Sequence, residues 1–252
     1  MTDIIFEYIV FSWIGLAIIT FFSLFFVTAP FGRHSSKNWG PMINARLGWM
    51  IMELPSPLLL SYFYFSGKTN TNTVTLIFWA LWMLHYFNRT IIYPLRQRDH
   101  SKKMPVMIMG SAIFFNIMNG FVNGYFLGNY GDLYNEFWFL SPQFIVGIII
   151  FLTGVFINLQ SDHILLNLRK PGEKEYKIPR GGLFKYISCP NLFGEIIEWA
   201  GFAIMIWALP ALSFAIWTFA NLAPRAMAHH KWYHDKFEHY PKERKGLIPF
   251  VW

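Results

Sequence analysis

Long apolar runs separated by short polar segments dominate the hydrophobic pattern of this chain. The runs cover residues 4–29, 47–65, 74–93, 106–127, 144–159 and 196–223. About 20 apolar residues cross the ~30 Å hydrocarbon core of a bilayer as a helix. The last run is too long for one span and has Pro210 at its midpoint, where proline removes a helical hydrogen bond. We therefore predict an all-α membrane protein with seven transmembrane helices.

The basic residues divide unevenly between the two sides of this arrangement. Three Lys or Arg residues follow the first span, five lie at or after the third, six follow the fifth and six follow the seventh. Lys68 alone lies on the opposite side. Because cytoplasmic segments of membrane proteins are enriched in Lys and Arg, we predict that the N-terminus lies outside and the C-terminus lies in the cytoplasm. Six spans would scatter these charges over both faces.

Composition agrees with a membrane protein and excludes several other classes. Only 14% of the 252 residues are charged, against about a quarter in an ordinary soluble domain. The net charge of +7 collects on the predicted cytoplasmic face, where anionic lipid head groups and topology account for much of it. No nucleic-acid-binding motif accompanies this charge, so we predict no nucleic acid partner. The single cysteine, Cys189, excludes an intramolecular disulfide.

The chain has no repeat or low-complexity linker that would divide it, so we expect one membrane domain over residues 1–252. The first run lacks the basic segment and cleavage site of a signal peptide, and we expect it to be retained. The tail over residues 225–240 has no helix breaker before Pro241, so we predict that the last helix continues beyond the membrane. Membrane lipids are the expected surroundings, and no obligate protein partner is evident.

Glu53 and Tyr86 are polar residues at predicted membrane depth. The apolar segment W-M-I-M-E-L-P-S-P surrounds Glu53, and a carboxyl group there finds a partner or takes up a proton. It has a functional role, or it satisfies a helix broken at Pro55, or it forms a buried ion pair. Tyr86 and Arg89 are three residues apart and share a helix face. An interfacial tyrosine beside an arginine that reaches toward water is the alternative reading of this pair.

Two further polar clusters need an explanation. Asn116, Asn119 and Asn123 recur at helical spacing in the fourth run, where they line a substrate cavity or form interhelical hydrogen bonds. His230 and His234 have the i, i+4 spacing that can chelate a metal. No H-E-x-x-H motif, further histidine box or cysteine cluster accompanies them, so we predict no metal site.

Three motifs around the fifth and sixth runs carry a family resemblance. They are L-R-K-P-G-E at residues 168–173, Y-x-I-P-x-G-G-L-F at 176–184 and N-x-x-G-E-I-I-E-W at 191–199. In order and spacing they resemble the C-terminal signature of the membrane steroid 5α-reductases, the 3-oxo-5α-steroid 4-dehydrogenases. The resemblance extends upstream to Arg46 and down to the final I-P-F-V-W, and it is weakest over residues 1–30. It implies a catalytic C-terminal half over about residues 104–252.

The resemblance implies a reductase that uses NADPH to saturate the Δ4 double bond of a 3-oxo steroid, which enters from the bilayer. E-L-P followed by H-Y-F-x-R resembles the catalytic pair of the family, which implies that Glu53 and Tyr86 bind the C3 carbonyl oxygen. Asn116 and Asn119 are further candidates for the substrate site. Negative charge builds on that oxygen during hydride transfer, and a phenol and a protonated carboxyl group can both donate to it.

The cofactor must be held by side chains of the helices and cytoplasmic loops, because no G-x-G-x-x-G of a Rossmann site occurs. The positions that the resemblance implies are Arg33, Arg89, Tyr93, Asn158, Asp162, Arg169, Tyr176, Asn191, Glu195, Arg225, His229 and Tyr233. Arginines pair with phosphates in bidentate fashion, and their surplus favours NADPH over NADH. From residue type alone, Asn158 and Asp162 also fit a helix that becomes polar as it leaves the membrane.

Other functions stay open at this point. One is the reduction of another lipid double bond, in an enoyl thioester or a polyprenol. A second is a membrane methyltransferase of the isoprenylcysteine type, and a third is a transporter or lipid-binding receptor. Met52 replaces a glutamine common in animal members of the family, and Asn88 replaces the usual histidine, which is compatible with a shifted substrate preference. The host membrane is the endoplasmic reticulum if the source is eukaryotic and the inner membrane if it is bacterial.

Overall fold

A computed structural model describes residues 1–30, 32–69, 71–170, 173 and 175–252. The helices are α1 Asp3–Phe26, α2 Ala45–Glu53, α3 Pro55–Phe65, α4 Thr73–Phe87, α5 Tyr93–Arg96, α6 Val106–Asn129, α7 Pro142–Asn167, α8 Pro190–Ile206 and α9 Leu209–Lys236. The predicted helical fold is therefore confirmed. A short antiparallel pair of strands, β1 Met42–Asn44 and β2 Lys103–Pro105, was not predicted.

The predicted apolar runs all fold as helices. Among the described residues, α1, α6 and α7 are the three helices that are long and apolar enough to cross a membrane, which indicates membrane association. The second run is divided between α2 and α3. The third run continues from α4 through a π-helical turn, Asn88–Ile92, into α5.

The break in the last apolar run lies earlier than predicted. We placed it at Pro210, but α8 ends at Ile206, and Trp207 takes a left-handed conformation with φ 56°. Pro210 instead lies in the first turn of α9. Backbone N–H groups in the first turn of a helix have no helical partner, so proline costs nothing there. The prediction that this helix continues into the polar tail is confirmed, since α9 extends to Lys236.

The described residues form two compact units. The terminal unit contains Met1–Thr28 and Val146–Trp252, and the central unit contains Ala29–Ile145. The prediction of one domain over residues 1–252 is not tested by this grouping and stays a prediction.

A stripe of glycines joins α6 to α3 in the central unit. Gly120, Gly124 and Gly128 recur every four residues of α6 and face the backbone of α3. A Cβ atom added at Gly124 would lie 2.6 Å from the carbonyl oxygen of Leu60, so glycine is needed for this approach. Asn116 lies one turn before Gly120 and continues the same face of α6.

In the terminal unit, glycines likewise allow a close backbone approach between α7 and α8. The two helices run antiparallel, and a Cβ atom added at Gly194 would lie 2.5 Å from the backbone nitrogen of Asn158. On the other side of this unit α1 packs against α9, where the indole of Trp217 donates to the carbonyl of Trp13 over 2.9 Å. The close approach of α7 and α8 brings the polar end of α7 beside the start of α8.

The segment after α9 folds back onto the loop that precedes α8. The backbone of Lys245 donates to the carbonyl of Tyr186 over 2.9 Å, and the backbone of Ser188 donates to the carbonyl of Lys245 over 2.8 Å. Beyond this pairing, Leu247 is buried in an apolar cluster that contains Cys189 and Leu222. The C-terminal residues are therefore part of the packed terminal unit.

Candidate functional site

Glu53 is the last residue of α2 and lies at a junction shaped by two prolines. Leu54 keeps helical dihedral angles between α2 and α3. Pro55 and Pro57 have no N–H group, so the carbonyls of Ile51 and Glu53, four residues before them, receive no helical hydrogen bond. The Glu53 side chain is half-buried at this junction.

Tyr86 lies in the last turn of α4 and is 3% exposed. Its ring stacks on Trp82 with 5.4 Å between centroids. The indole of Trp82 donates to the hydroxyl of Ser56 on α3 over 3.2 Å, which fixes the stack against the helix that follows Glu53. The π-helical turn starts two residues after Tyr86, and such turns are frequent at functional sites.

Asn116 on α6 joins the two predicted catalytic residues. The phenol of Tyr86 donates to Oδ1 of Asn116 over 3.1 Å. Nδ2 of Asn116 donates to the carbonyl of Met52 over 2.7 Å and to Oε2 of Glu53 over 3.4 Å. Asn116 is 2% exposed. The structure therefore brings Glu53 and Tyr86 to one buried amide, with contributions from α2, α4 and α6.

The other asparagines of the stripe make different contacts. Nδ2 of Asn119 donates to the carbonyl of Phe115 over 2.8 Å, and Nδ2 of Asn123 donates to the carbonyl of Asn119 over 3.1 Å. Both bonds lie within α6, whereas Asn116 bonds to other helices. Asn116 therefore forms interhelical hydrogen bonds, and the roles of Asn116 and Asn119 in substrate binding stay predictions.

Arg89 lies in an aromatic setting within the central unit. Its guanidinium carbon is 4.7 Å from the centroid of Trp49 and 5.2 Å from the centroid of Tyr93. The indole of Trp49 also donates to the carbonyl of Arg89 over 2.9 Å. Two predicted cofactor positions, Arg89 and Tyr93, are thus brought together. The third in this unit, Arg33, is half-buried in a short turn, Gly32–His34.

In the terminal unit, α7 and α8 bring four predicted cofactor positions into two pairs. Asn158 and Asp162 share a face of α7, and each is 3% exposed. Asn191 and Glu195 have the same spacing on α8, and Nδ2 of Asn158 donates to the carbonyl of Asn191 over 2.9 Å. A helix end that simply enters water would expose such groups. The burial of Asn158 and Asp162 therefore favours a packed polar site.

The loop after α7 contacts α9 through aromatic rings. The guanidinium carbon of Arg169 lies 5.2 Å from the ring centroid of Tyr176, and that ring meets Trp232 edge-on at 4.9 Å. Tyr233 is buried beside Trp232, and Arg225, His229 and Tyr233 recur every four residues along one face of α9. Pro171 and Gly172 of the L-R-K-P-G-E motif and Lys174 lie outside the described residues.

A hydrogen-bonded network around Ser188 was not predicted. Its hydroxyl lies 2.6 Å from Nδ1 of His230 and 2.7 Å from the phenol oxygen of Tyr240. Burial lowers the pKa of His230 below its ordinary value, and the nearby charges of His234 and Lys245 lower it further. The network fixes the polar end of α9 to the loop before α8.

The histidines of α9 do not form a metal site with other residues that the structure describes. The rings of His230 and His234 lie 4.6 Å apart, but no group of three or more His, Cys, Asp or Glu side chains is arranged around an ion within the described ranges. The prediction that the protein needs no metal is untested and stays a prediction.

Comparison with known proteins gives consistent matches. A family model described as 3-oxo-5-alpha-steroid 4-dehydrogenase matches residues 102–252. The steroid 5-alpha-reductase DET2 of Gossypium hirsutum is 40% identical over 255 residues, covering 98% of this chain and 98% of the relative. The 3-oxo-5-alpha-steroid 4-dehydrogenase 1 of Rattus norvegicus is 42% identical over 238 residues, covering 94% of this chain and 91% of the relative. The chain belongs to the steroid 5α-reductase family.

Membership of the steroid 5α-reductase family confirms the resemblance seen in the motifs and makes the protein an oxidoreductase. A further relative, the steroid 5-alpha-reductase DET2 of Arabidopsis thaliana, is 42% identical over 236 residues, covering 90% of this chain and 89% of the relative. These matches favour a reductase over the methyltransferase and transporter alternatives.

Sequence reasoning named Asn116 as a candidate but did not predict its contacts, and it missed Trp49 altogether. Trp49 pairs with Arg89 across 40 residues, and Asn116 reaches Met52 across 64. No local pattern predicts such pairings, because they depend on which helices become neighbours. One signal was available for Asn116: it precedes a glycine repeat of four-residue spacing, which marks a helix face that packs closely.

Proposed function

We propose that this protein uses NADPH to reduce the Δ4 double bond of 3-oxo steroids within a membrane. The observation that carries this proposal is the convergence of the Glu53 carboxyl group and the Tyr86 phenol on one buried amide, that of Asn116. Family membership supports the same reaction, since the relatives are named for it.

The two side chains act on the C3 carbonyl oxygen of the steroid. Hydride addition at C5 of the enone moves negative charge onto that oxygen, and fixed donors in a site without bulk water lower the barrier. Tyr86 donates through its phenol, and Glu53 donates when it carries a proton. C4 of the resulting enol then takes a proton from solvent while the enol oxygen returns its proton to the residue that donated it, which gives the 5α-reduced ketone.

The side chains of the predicted cofactor positions fit a dinucleotide phosphate. Arg169 and Arg225 offer guanidinium groups for phosphates, and Asn158 and Asn191 offer amides for ribose or carboxamide groups. When bound, NADPH supplies the hydride that no side chain can provide.

The surroundings of Arg244, which lies in the segment after α9, support the binding of an anionic ligand in the terminal unit. It is 5% exposed, and its Nε and Nη1 atoms have no hydrogen-bond partner within the described ranges. Its guanidinium carbon lies 5.2 Å from the ring of Tyr240. A buried cation without an acceptor is costly unless an anion binds nearby, so the chemistry of this unit suits a phosphate-bearing cofactor.

The proposed topology has seven spans, with the N-terminus outside and the C-terminus in the cytoplasm. The one-sided distribution of Lys and Arg supports it. The host membrane is that of the endoplasmic reticulum in a eukaryote or the inner membrane in a bacterium. A steroid dissolves better in lipid than in water, so it enters from the bilayer. Membrane lipids are the other partners that we propose, without nucleic acid or an obligate protein partner.

NADPH oxidation by the purified protein in lipid nanodiscs tests the substrate class. We expect turnover with testosterone or progesterone and a 5α-reduced product identified by mass spectrometry. An enoyl thioester is the comparison substrate, and we expect it to react more slowly. Faster reduction of the thioester would contradict the steroid assignment while leaving a lipid reductase in place.

Substitutions test the assigned residues. We expect Glu53→Gln and Tyr86→Phe each to lower turnover by at least about tenfold, which corresponds to ~1.4 kcal/mol of activation free energy, with an unchanged Kd for NADPH. Arg169→Ala should instead raise that Kd. Tyr62→Phe, at an exposed tyrosine of α3, is the matched control and should retain turnover. If both catalytic variants kept wild-type turnover, the pair would have no part in the reaction.

A further inference from the structure

We infer that Asn116 is the positioning residue of the active site, which sets the orientation of the Glu53 carboxyl group and the Tyr86 phenol. This inference rests on the proposed function and deepens it. The contacts that carry it are the three hydrogen bonds of the Asn116 amide, to the Tyr86 phenol, the Met52 carbonyl and Oε2 of Glu53.

The carbonyl of Met52 decides which way the amide faces. A backbone carbonyl can only accept a hydrogen bond, so the nitrogen of Asn116 must face it, 2.7 Å away. The opposite assignment of the amide would bring two acceptor oxygens together. Oδ1 of Asn116 therefore faces Tyr86, and the phenol must donate to it. This one backbone contact therefore sets the resting orientation of the phenol proton. Because a phenol has a single hydrogen, the O–H group must turn from Oδ1 of Asn116 to the C3 oxygen when it donates to a bound substrate.

The amide of Asn116 also determines which oxygen of Glu53 is the better place for a proton. Nδ2 has two hydrogens, and the second one reaches Oε2 of Glu53 at 3.4 Å. An oxygen that accepts from N–H is the poorer place for a proton, so a protonated Glu53 carries it on Oε1. A proton on Oε1 is the one that this acid would donate to a substrate oxygen in its proposed role.

The fold keeps Asn116 within reach of all three partners. It precedes Gly120 by one turn on the glycine face of α6, where a Cβ atom added at Gly120 would lie 2.8 Å from the carbonyl of Ser56. This close contact of α6 with α3 holds the backbone of Asn116 where its short side chain reaches α2 and α4. Asn116 is 2% exposed, so removal of the amide leaves buried partner groups without the hydrogen bonds that it provides.

A double-mutant cycle with Tyr86→Phe tests the inference. The substrate is whichever compound of the steroid and thioester panel the wild type reduces fastest, with saturating NADPH. We expect Asn116→Ala to lower kcat by about tenfold, as for loss of a buried hydrogen-bonding group, with the Kd for NADPH unchanged. In the Tyr86→Phe background the same change should lower kcat by a smaller factor than in the wild type, because the bond to the phenol is already lost and only the bonds to Glu53 and Met52 remain. Asn116→Asp keeps the volume but loses the donor to Met52, and we expect kcat as low as for Asn116→Ala.

Asn129→Ala is the matched control. Asn129 lies on the same helix and donates to the carbonyl of Tyr125 over 2.9 Å within α6, and its removal should change kcat by less than about twofold. Independent losses of kcat in the cycle, or an Asn116→Ala enzyme within about twofold of wild type, would overturn the positioning role.

Thermal unfolding provides a readout that needs no substrate. If Asn116 and Tyr86 share one hydrogen bond, the Tm decrease of the double variant should be smaller than the sum of the two single decreases. Additive decreases in Tm would overturn the inference. A wild-type protein without activity on any steroid would instead overturn the proposed function, and the unfolding cycle would still decide the role of Asn116.

Discussion

Arg89 illustrates how a single residue acquires a role from its neighbours. An arginine at the edge of a membrane commonly extends its head group into water. Here Trp49 and Tyr93 lie within about 5 Å of the guanidinium, a distance at which cation–π attraction operates. Ring contacts use the faces of the guanidinium and leave its edges to donate hydrogen bonds. This arrangement is compatible with the proposed contact to a phosphate-bearing cofactor.

His230 should make the stability of the protein depend on pH. Its pKa in the folded protein lies below the ordinary value of 6.5 because burial disfavours the charged ring, with His234 and Lys245 adding to the effect. As pH falls through 6.5, the unfolded chain binds the proton before the folded one, so the free energy of unfolding decreases. We expect a lower Tm at pH 5.5 than at pH 7.5, and His230→Asn should reduce this difference.

The control for this effect is another histidine of the same region. His239 is exposed, and His239→Asn should leave the dependence of Tm on pH unchanged. Asparagine at position 230 keeps a polar group near the Ser188 hydroxyl, so the variant removes the titration with little loss of packing. An equal Tm difference in wild type and His230→Asn would show that other groups cause the pH dependence.

Helices were largely predictable, because each apolar run is long enough to show where a helix must lie. The local interruptions of these helices could not be predicted. The break of the last run fell on Trp207, whose left-handed conformation has no signal in a continuous apolar run. The pairing of β1 with β2 joins residues 42–44 to residues 103–105, so no local pattern predicts it. Residue identity, through the motifs, indicated Glu53 and Tyr86, but the amide that joins them became visible only when α2, α4 and α6 were placed together.

The glycine face of α6 should be sensitive to a single methyl group. We expect Gly124→Ala to destabilise the protein by about 1–3 kcal/mol, as for overpacking of a core, because its Cβ atom would lie 2.6 Å from the carbonyl of Leu60. Since Asn116 depends on the same helix contact, turnover should decrease as well. Thermal unfolding and NADPH oxidation are the two measurements.

Gly110→Ala is the matched control on the same helix. A Cβ atom at Gly110 would meet no heavy atom within 4 Å, and alanine has the higher helix propensity by about 1 kcal/mol. This variant should therefore be neutral or stabilising. If Gly124→Ala and Gly110→Ala had the same Tm, the close contact of α6 with α3 would not govern stability.

At the scale of the whole molecule, the proposed seven-span topology predicts which side of the membrane each loop occupies. Lys68 and Lys177 are both exposed, but only Lys68 belongs to a loop proposed to lie outside. In sealed bacterial cells that express the protein in the inner membrane, a membrane-impermeant maleimide should label Lys68→Cys at once and Lys177→Cys only after the membrane is opened. Labelling of both variants in sealed cells would contradict the topology.

Because Cys189 is buried, thiol labelling of introduced cysteines needs no change to the native cysteine. Its side chain is 3% exposed within the apolar cluster around Leu222, and the sequence contains no other cysteine. Thiol reagents should therefore leave the native protein untouched, since reactivity needs an accessible thiolate. Nitroxide or fluorophore probes attached at pairs of engineered cysteines could then report distances in the native background, without a prior round of cysteine removal.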